Sequence, residues 1–461
     1  MIGRMIRGED QDMEIQKKKD TDMTEGVIWK QLLWFALPLM VGNVFQQFYN
    51  TVDSIVVGNF VGKEALAAVG SVGSIINSVI GFFGGLATGA SVVIAQSYGA
   101  KNDGKVSIAV HTTFCMTLVL CVVFTIVGIS ATPFLLRFMS MPDDVIGEAT
   151  EYLMIYFSGV SGLMIYNMGS GVLRAVGDSK RPLYFLVFSA CVNTVLDLVF
   201  VVKFHWGIAG VAWATVIAQG LSAVLILVVL FRENGAYRLV LSKMKTDRGA
   251  LQEIVRIGFP SAVQQTVTAF SNVFVQSYIN SFGSNAMAGW SAYGKIDQFM
   301  MLPMQSVALA ATTFVGQNHG ARREDRVKKG TRTALGLSMV ISIAVMIPIL
   351  SFAPVMVKLF NSHSEVVRYG SLFLRLLSPF YVLCCVNQIL ASTLRGLGDS
   401  KAPMIIMLGS FVVFRQIYLM IVSHLTSSVI PVAMGYPMGW LVCSLCIAIY
   451  YRKKIGKLMN T

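Results

Sequence analysis

From about residue 28 onward the chain alternates long apolar runs with short polar breaks. The runs are long enough to cross a hydrocarbon layer of about 30 Å as helices. They fall at approximately 32–58, 65–95, 106–130, 147–169, 182–203, 207–231, 252–282, 287–317, 330–352, 366–392, 403–423 and 427–451, about twelve helices in all. The sequence leaves no room for long irregular segments between them, and a bilayer admits only helices or closed barrels. The expected fold is therefore an all-α polytopic membrane protein.

Composition agrees. The 461 residues are 55% hydrophobic and 13% charged, with a mean hydropathy of +0.65, whereas soluble domains carry about 25% charged residues. A net charge of +13 would suit a nucleic-acid partner, but its distribution argues otherwise. Basic residues crowd before the first run and after the even-numbered ones: Lys17 to Lys19, then Lys101 and Lys105, Arg174, Lys180 and Arg181, Arg232 to Arg248, Arg322 to Lys329, Arg395 and Lys401, and Arg452 to Lys457. The odd connections hold few. By the positive-inside rule both termini lie in the cytoplasm, which places the chain in a bacterial inner membrane. Residues 1–27 are polar without an apolar signal region and are expected to form a disordered cytoplasmic tail; residues 452–461 are expected to form a second, basic one.

The seven cysteines all sit in apolar runs, so Cys443 and Cys446, although spaced as CxxC, are read as packing residues. No histidine has a partner at zinc-like spacing. GNFVGKE at 58–64 lacks the spacing and the hydroxyl of a phosphate loop. With no nucleotide site and no catalytic constellation the chain is not read as an enzyme, needs no cofactor, and must draw energy from an ion gradient or a partner.

The chain is duplicated. LRAVGDSK at 173–180 recurs as LRGLGDSK at 394–401, an offset of 394 − 173 = 221. SYGAKNDGKV (97–106) matches NHGARREDRV (318–327), and ALPLMVGNVFQQ (36–47) matches GFPSAVQQTVTA (258–269) around Pro38 and Pro260. Two six-helix lobes follow, 28–231 and 251–451, joined by a polar linker at 232–250. An even number of spans keeps both repeats in one orientation, an arrangement typical of transporters with two rocking lobes. The GDSK segments read as loop punctuation.

A proline-bearing first run ending in VDSIVVG, the GDSKRP turn, the NTVLD run, WATVIAQ in the sixth run and the two-by-six repeat together resemble the multidrug and toxic compound extrusion (MATE) family, over essentially residues 25–450. The resemblance is closer to the branch of DNA-damage-inducible protein F than to the NorM branch. It implies a secondary-active antiporter that exports organic, chiefly cationic, drugs or toxic metabolites in exchange for inward Na+ or H+. A flippase for lipid-linked saccharides, from the same wider superfamily, is the alternative. The working unit is expected to be a monomer.

Within the apolar runs a few polar residues stand out, because a carboxylate at a bilayer midplane costs roughly 2.5–3.5 kcal/mol. Asn193 and Asp197 are four apart and share a helix face. Asp197, Thr215 and Asp53 each lie a similar distance from the outer end of their runs. These four are expected to meet in a cation site: hard oxygen donors suit a small cation, and paired carboxylates can also hold a proton. In the resembling branch the matching positions form the site in the N-terminal lobe. Pro38 is a candidate bending point; Gln46, Tyr49 and Asn167 are candidate cavity residues. Gly81, Gly85 and Gly89 read as close helix packing.

The second lobe departs from the first, since Tyr418 stands at the equivalent of Asp197 and Phe414 at that of Asn193. A second cation site there is not expected. Lys295, Asp297 and Arg415 are read as a charge network of structural or lobe-gating ion pairs.

Overall fold

The computed structural model describes residues 22–139, 141–426 and 428–459. Every apolar run becomes a helix, numbered here in chain order. Ten are long and apolar enough to cross a membrane: α1 (Ile28–Val61), α2 (Glu64–Gly99), α3 (Asp103–Phe138), α5 (Lys180–Lys203), α6 (Gly207–Arg232), α8 (Ser284–Gly320), α9 (Glu324–Ser351), α10 (Ser364–Gly396), α11 (Lys401–Leu425) and α12 (Val429–Met459). The other two expected passages are α4, built of Asp143–Ser158 and Val160–Ala175 with a break at Gly159, and α7, Arg248–Asn280, whose apolar character is diluted by glutamine, threonine and serine. α10 is interrupted at the matching place, by a tight turn at Ser378–Phe380.

One expectation about the chain ends is corrected, for residues 22–27. Of the tail 1–27, residues 1–21 lie outside the described residues, but the stretch that follows is held against the helices. Met23 is buried, its N–H donates to Gln317 Oε1 at 2.9 Å, and Arg323 and Arg326 donate to the Thr24, Gly26 and Met23 carbonyls. Of 452–461, the residues up to Met459 continue α12, and the last two lie outside the described residues.

Each lobe has its own apolar core. Tyr152, Tyr156, Phe157 and Met164 anchor one; Trp290, Phe373, Tyr381 and Trp440 anchor the other. Two helices cross between lobes. The first half of α1 buries Leu32, Phe35 and Ala36 against Val307, Ala311 and Phe314 of α8. The first half of α7 lies on α2 so closely that a Cβ at Gly85 would come within 2.2 Å of Ala262 N and one at Gly89 within 2.5 Å of Gly258 Cα. Close packing is thus the role of both glycines, as helix contacts in lipid favour small residues.

The end of the bundle bearing the basic loops, called the basic face below, is clasped shut by a pseudo-symmetric pair of bonds. Gln96 Nε2 donates to Gly396 O and Gln317 Nε2 to Ala175 O, both at 2.8 Å. The repeat offset relates the two: 317 − 96 and 396 − 175 are both 221. On α2 and α8 the halves toward this face are buried, whereas the other halves expose Ser71, Ser74, Asn77, Ser291 and Lys295, with Gln47 donating to Gln298 as a contact between α1 and α8. The lobes therefore meet at the basic face and part toward the opposite one.

The GDSK turns end α4 and α10 in the same way. Gly177 and Gly398 adopt φ of 94° and 83°, a left-handed conformation that suits glycine. Asp178 Oδ1 then accepts from the Lys180 and Arg181 N–H groups, both at 3.1 Å, starting α5.

Candidate functional site

Asp53, Asn193, Asp197 and Thr215 come together inside the N-terminal lobe, from α1, α5 and α6. Asp53 is 9% exposed, Asn193 1%, Asp197 0% and Thr215 4%. In the amide orientation that satisfies both of its ends, Asn193 Nδ2 donates to Asp53 Oδ1 at 2.9 Å and its oxygen accepts from Thr215 N at 3.3 Å. Asn193 is thus the bridge between helices. The Asp53 and Asp197 carboxyls approach within reach of a shared proton, yet neither Asp197 oxygen has a donor, and Thr215 Oγ1 has only the Tyr152 hydroxyl near it. Thr215 does not bond its own helix carbonyl, the usual habit of a helical threonine.

Buried polar atoms without partners cost about 1–3 kcal/mol each, and most buried polar groups avoid that by pairing. An acidic cluster with vacant oxygen acceptors is chemically a receptor for a proton or a small hard cation. Both carboxylates also adjoin π-helical turns, Val57–Val61 in α1 and Leu198–Lys203 directly after Asp197. Such turns are rare and frequent at functional sites, where the wider loop shifts the side-chain register. Nothing in composition marks them, and sequence reasoning missed them. It also missed Tyr152, which stands with Tyr49 beside both carboxyls; in EYLMIYF a tyrosine pair looks like core.

A cavity of about 190 Å³ opens on the side of this cluster toward the basic face. Gln46, Tyr49, Asn167 and Pro38 line it, along with Asn193 and Thr215. The Asn167 amide nitrogen is used by the Leu163 carbonyl at 2.9 Å, so only its oxygen is left for the cavity. α1 runs through Pro38 as one helix from Ile28 to Val56. Arg174 also lines this cavity, in the last turn of α4 rather than in a loop.

The charges of the second lobe are not brought into one network. Among the described residues no ion pair links Lys295, Asp297 and Arg415. Lys295 is exposed. Asp297 accepts from the Tyr293 hydroxyl at 3.2 Å and from Tyr381. Arg415 Nη2 donates to Ser271 Oγ and Asn272 Oδ1, both at 2.9 Å, and its guanidinium lies 4.6 Å from the Tyr436 ring centroid. The ion pairs expected from sequence give way to aromatic and hydroxyl partners, because Trp290, Tyr436 and Trp440 fill the space around them. Tyr418, the counterpart of Asp197, donates to Pro431 O at 2.9 Å. Cys443 is buried and Cys446 exposed, both free.

Comparison with known proteins agrees with this architecture. A family model described as MatE matches residues 38–199 and 260–421, one copy per lobe. The probable multidrug resistance protein YpnP of Bacillus subtilis is 32% identical over 443 residues, covering 96% of this chain and 99% of its own. The probable multidrug resistance protein YoeA of the same organism is 30% identical, covering 94% and 96%. A solved structure described as the outward-facing conformation of a multidrug resistance MATE family transporter of the MOP superfamily superposes with a TM-score of 0.90 at 27% identity, over 96% of this chain and 99% of that one.

Proposed function

The chain belongs to the MatE family of multi-pass membrane transporters, and from that premise we propose that it is an antiporter exporting amphipathic, chiefly cationic, organic compounds in exchange for inward Na+ or H+. The observation that carries this reading is the buried cluster of Asp53, Asn193, Asp197 and Thr215 with its vacant acceptors. The basic face is assigned to the cytoplasm, from the alternation of basic loops, with both termini there and the protein in a bacterial inner membrane. The N-lobe site, together with its unmatched C-lobe equivalent, supports placement nearer the DNA-damage-inducible protein F branch.

In the conformation seen, the cytoplasmic clasp is closed and the lobes part outward, so the cluster receives its cation from outside. Export requires a site that binds the ion differently in the two states, since equal affinity shifts nothing. Helix α1 supplies the connection. Its second half carries Asp53 and its first half packs on α8 of the other lobe. Neutralising Asp53 changes the cost of burying its end of α1, and the contact between lobes responds at the other end. One elementary charge crossing 100 mV supplies about 2.3 kcal/mol, enough for somewhat more than a tenfold substrate gradient.

The test is ethidium or norfloxacin efflux from vesicles with Na+ and H+ gradients imposed separately, in wild type, Asp53→Asn and Asp197→Asn. Each variant should lose gradient-driven export while expression stays near normal. Unchanged export in both variants refutes the site.

A further inference from the structure

Helices α1 and α5 begin at the basic face with the same short series of side chains. On α1, Lys30 is followed one turn later by Trp34, then by Leu37 and Val41. On α5, Lys180 is followed by Tyr184, then by Phe188. Spacings of three and four residues keep each series on one helix face, and all these side chains are exposed. The two helices pack together, since a Cβ on Gly42 of α1 would touch Leu183 and Leu186 of α5 at 3.3 and 3.4 Å. A cavity of about 780 Å³ has Lys30, Trp34, Lys180 and Tyr184 on its wall, completed by the chain at 23–27 and by the turn at 177–179.

The positive charge of this wall is not cancelled. Its two carboxylates are already engaged: Glu25 lies 3.7 Å from Arg323, and Asp178 lies 3.1 Å from Arg181, which also pairs with Glu233. Among the described residues neither Lys30 nor Lys180 has an ion pair. An ammonium group is a compact charge with three donors and suits a phosphate.

Depth selects the kind of phosphate. Four residues of helix advance about 6 Å, so Trp34 and Tyr184 lie just inside the lysines, at the level where amphipathic rings favour the membrane interface. They are 65% and 62% exposed, uncovered by protein, and Leu37, Val41 and Phe188 continue each series toward the hydrocarbon. A soluble anion would use the lysines and leave the rings bare. A molecule with an anionic head and acyl chains covers the whole series, and basic pockets between membrane helices suit such heads. The volume falls within the roughly 300–1,000 Å³ of small-molecule sites.

Lysines at helix ends recur along the chain, but the duplication separates this groove from that general bias. The repeat keeps Lys180 as Lys401 and replaces Tyr184 by Ile405. The segments aligned on Pro38 and Pro260 put Gln252 and Arg256 in place of Lys30 and Trp34. Paired lysines above paired aromatic rings belong to the N-terminal lobe and not to its copy.

We propose that the groove between α1 and α5 binds an anionic phospholipid from the leaflet at the basic face, its phosphate held by Lys30 and Lys180 and its chains laid along Leu37, Val41 and Phe188. The site is separate from the acidic cluster and does not depend on which compound is transported.

The experiment is lipid binding to purified full-length protein, followed by native mass spectrometry, with phosphatidylglycerol and phosphatidylcholine of identical chains as probes. Wild type should prefer phosphatidylglycerol. A lysine near an anionic headgroup is worth about fivefold in binding. Lys30→Gln and Lys180→Gln should therefore each weaken phosphatidylglycerol about fivefold, and the pair about 25-fold, with phosphatidylcholine unchanged. The double variant Lys30→Arg/Lys180→Arg keeps both charges and should bind as wild type does. Lys401→Gln, the matching change in the other lobe, should alter nothing. No preference in wild type, no loss in the double glutamine variant, or an equal loss in Lys401→Gln or in the double arginine variant overturns the inference. Glycerol 3-phosphate competing as well as the intact lipid also overturns it, and assigns a soluble anion instead.

Discussion

Gly99 and Gly320 set how closely the two lobes approach at the basic face. They are related by the repeat, and each faces the clasp glutamine of the other lobe. A Cβ at Gly99 would lie 1.9 Å from Gln317 O, and one at Gly320 1.9 Å from Gln96 O. Carbon and oxygen tolerate about 3.3 Å, so Gly99→Ala forces α2 and α8 apart by roughly 1.4 Å at that level. The clasp bonds, now 2.8 Å, would stretch to about 4.2 Å, outside hydrogen-bonding range. Each is worth about 0.5–1.5 kcal/mol net, so losing both costs the state closed at the basic face about 1–3 kcal/mol, a population shift of roughly 5–150-fold. Spin labels at Lys105 and Asp325, both exposed in the first turns of α3 and α9, report the separation in a cysteine-free background. Gly99→Ala should lengthen the distance distribution, and the Gly99→Ala/Gly320→Ala pair should lengthen it further. A distribution identical to wild type in the double variant would refute the steric argument.

Replacing Asn193 by Leu keeps volume but removes the bridge to Asp53 and Thr215, leaving a buried carboxylate without its donor; thermal unfolding in detergent should show a loss of about 1–3 kcal/mol, and an unchanged midpoint contradicts the bridge. Arg326 donates to Asn318 Oδ1, Gly26 O, Met23 O and Gln31 Oε1, so Arg326→Ala should raise hydrogen exchange across residues 23–31, and unaltered exchange there would show that the segment is held by other means. Asp399, in the loop between α10 and α11, is pushed up by burial, but Tyr450 Oη at 2.7 Å, the Ala402 N–H and Lys454 Nζ at 3.2 Å outweigh this and hold its carboxyl below the usual range. A carboxyl lowered on folding stabilises above its unfolded value of about 3.9, and that contribution is lost as pH falls through the folded value. Asp399→Asn should therefore reduce thermal stability at pH 7, with the deficit closing as pH falls below the ordinary carboxylate range; a deficit constant over that range argues against the ion pair.

The helices were legible because lipid imposes one rule on every passage: an unbroken apolar run of sufficient length. Asp53 and Asp197 were legible for the complementary reason, since a carboxylate in such a run stands out by its cost. The features that escaped have no such mark. A π-helical turn differs from an α-turn by one residue of backbone register, and LVFVVK reads like any other helix end. The break at Gly159 falls in a run whose apolar pattern continues straight across it. By composition Arg174 counts with Lys180 and Arg181 as a loop charge, because a basic residue three positions from a glycine looks solvated; the left-handed turn at Gly177 comes later than that reading assumes and keeps Arg174 inside α4. Asp297 and Arg415 carry opposite charges, which invites pairing, but the tyrosines that meet them look like core residues in a linear sequence.

Duplication makes the remaining asymmetry informative. The halves agree wherever the lobes must fit each other: the clasp pairs Gln96 with Gln317, the close approaches pair Gly99 with Gly320, and the GDSK turns pair Asp178 with Asp399. They disagree inside the lobes. In the C-terminal lobe Gln264 meets Arg395 and Tyr418 bonds Pro431 O. In the N-terminal lobe the oxygens of Asp197 are left without donors, close to a cavity that Thr215 and Gln219 line. At about 1–3 kcal/mol for each unsatisfied group, this cluster is a local cost; the C-terminal lobe has unpartnered polar atoms of its own, Arg395 Nε and Arg415 Nε among them, but places Tyr418, Tyr436 and Trp440 at the equivalents of Asp197, Thr215 and Gln219. It is thus this one place, where aromatic residues close the copy and carboxyl oxygens stand open in the original, that is kept for what enters it.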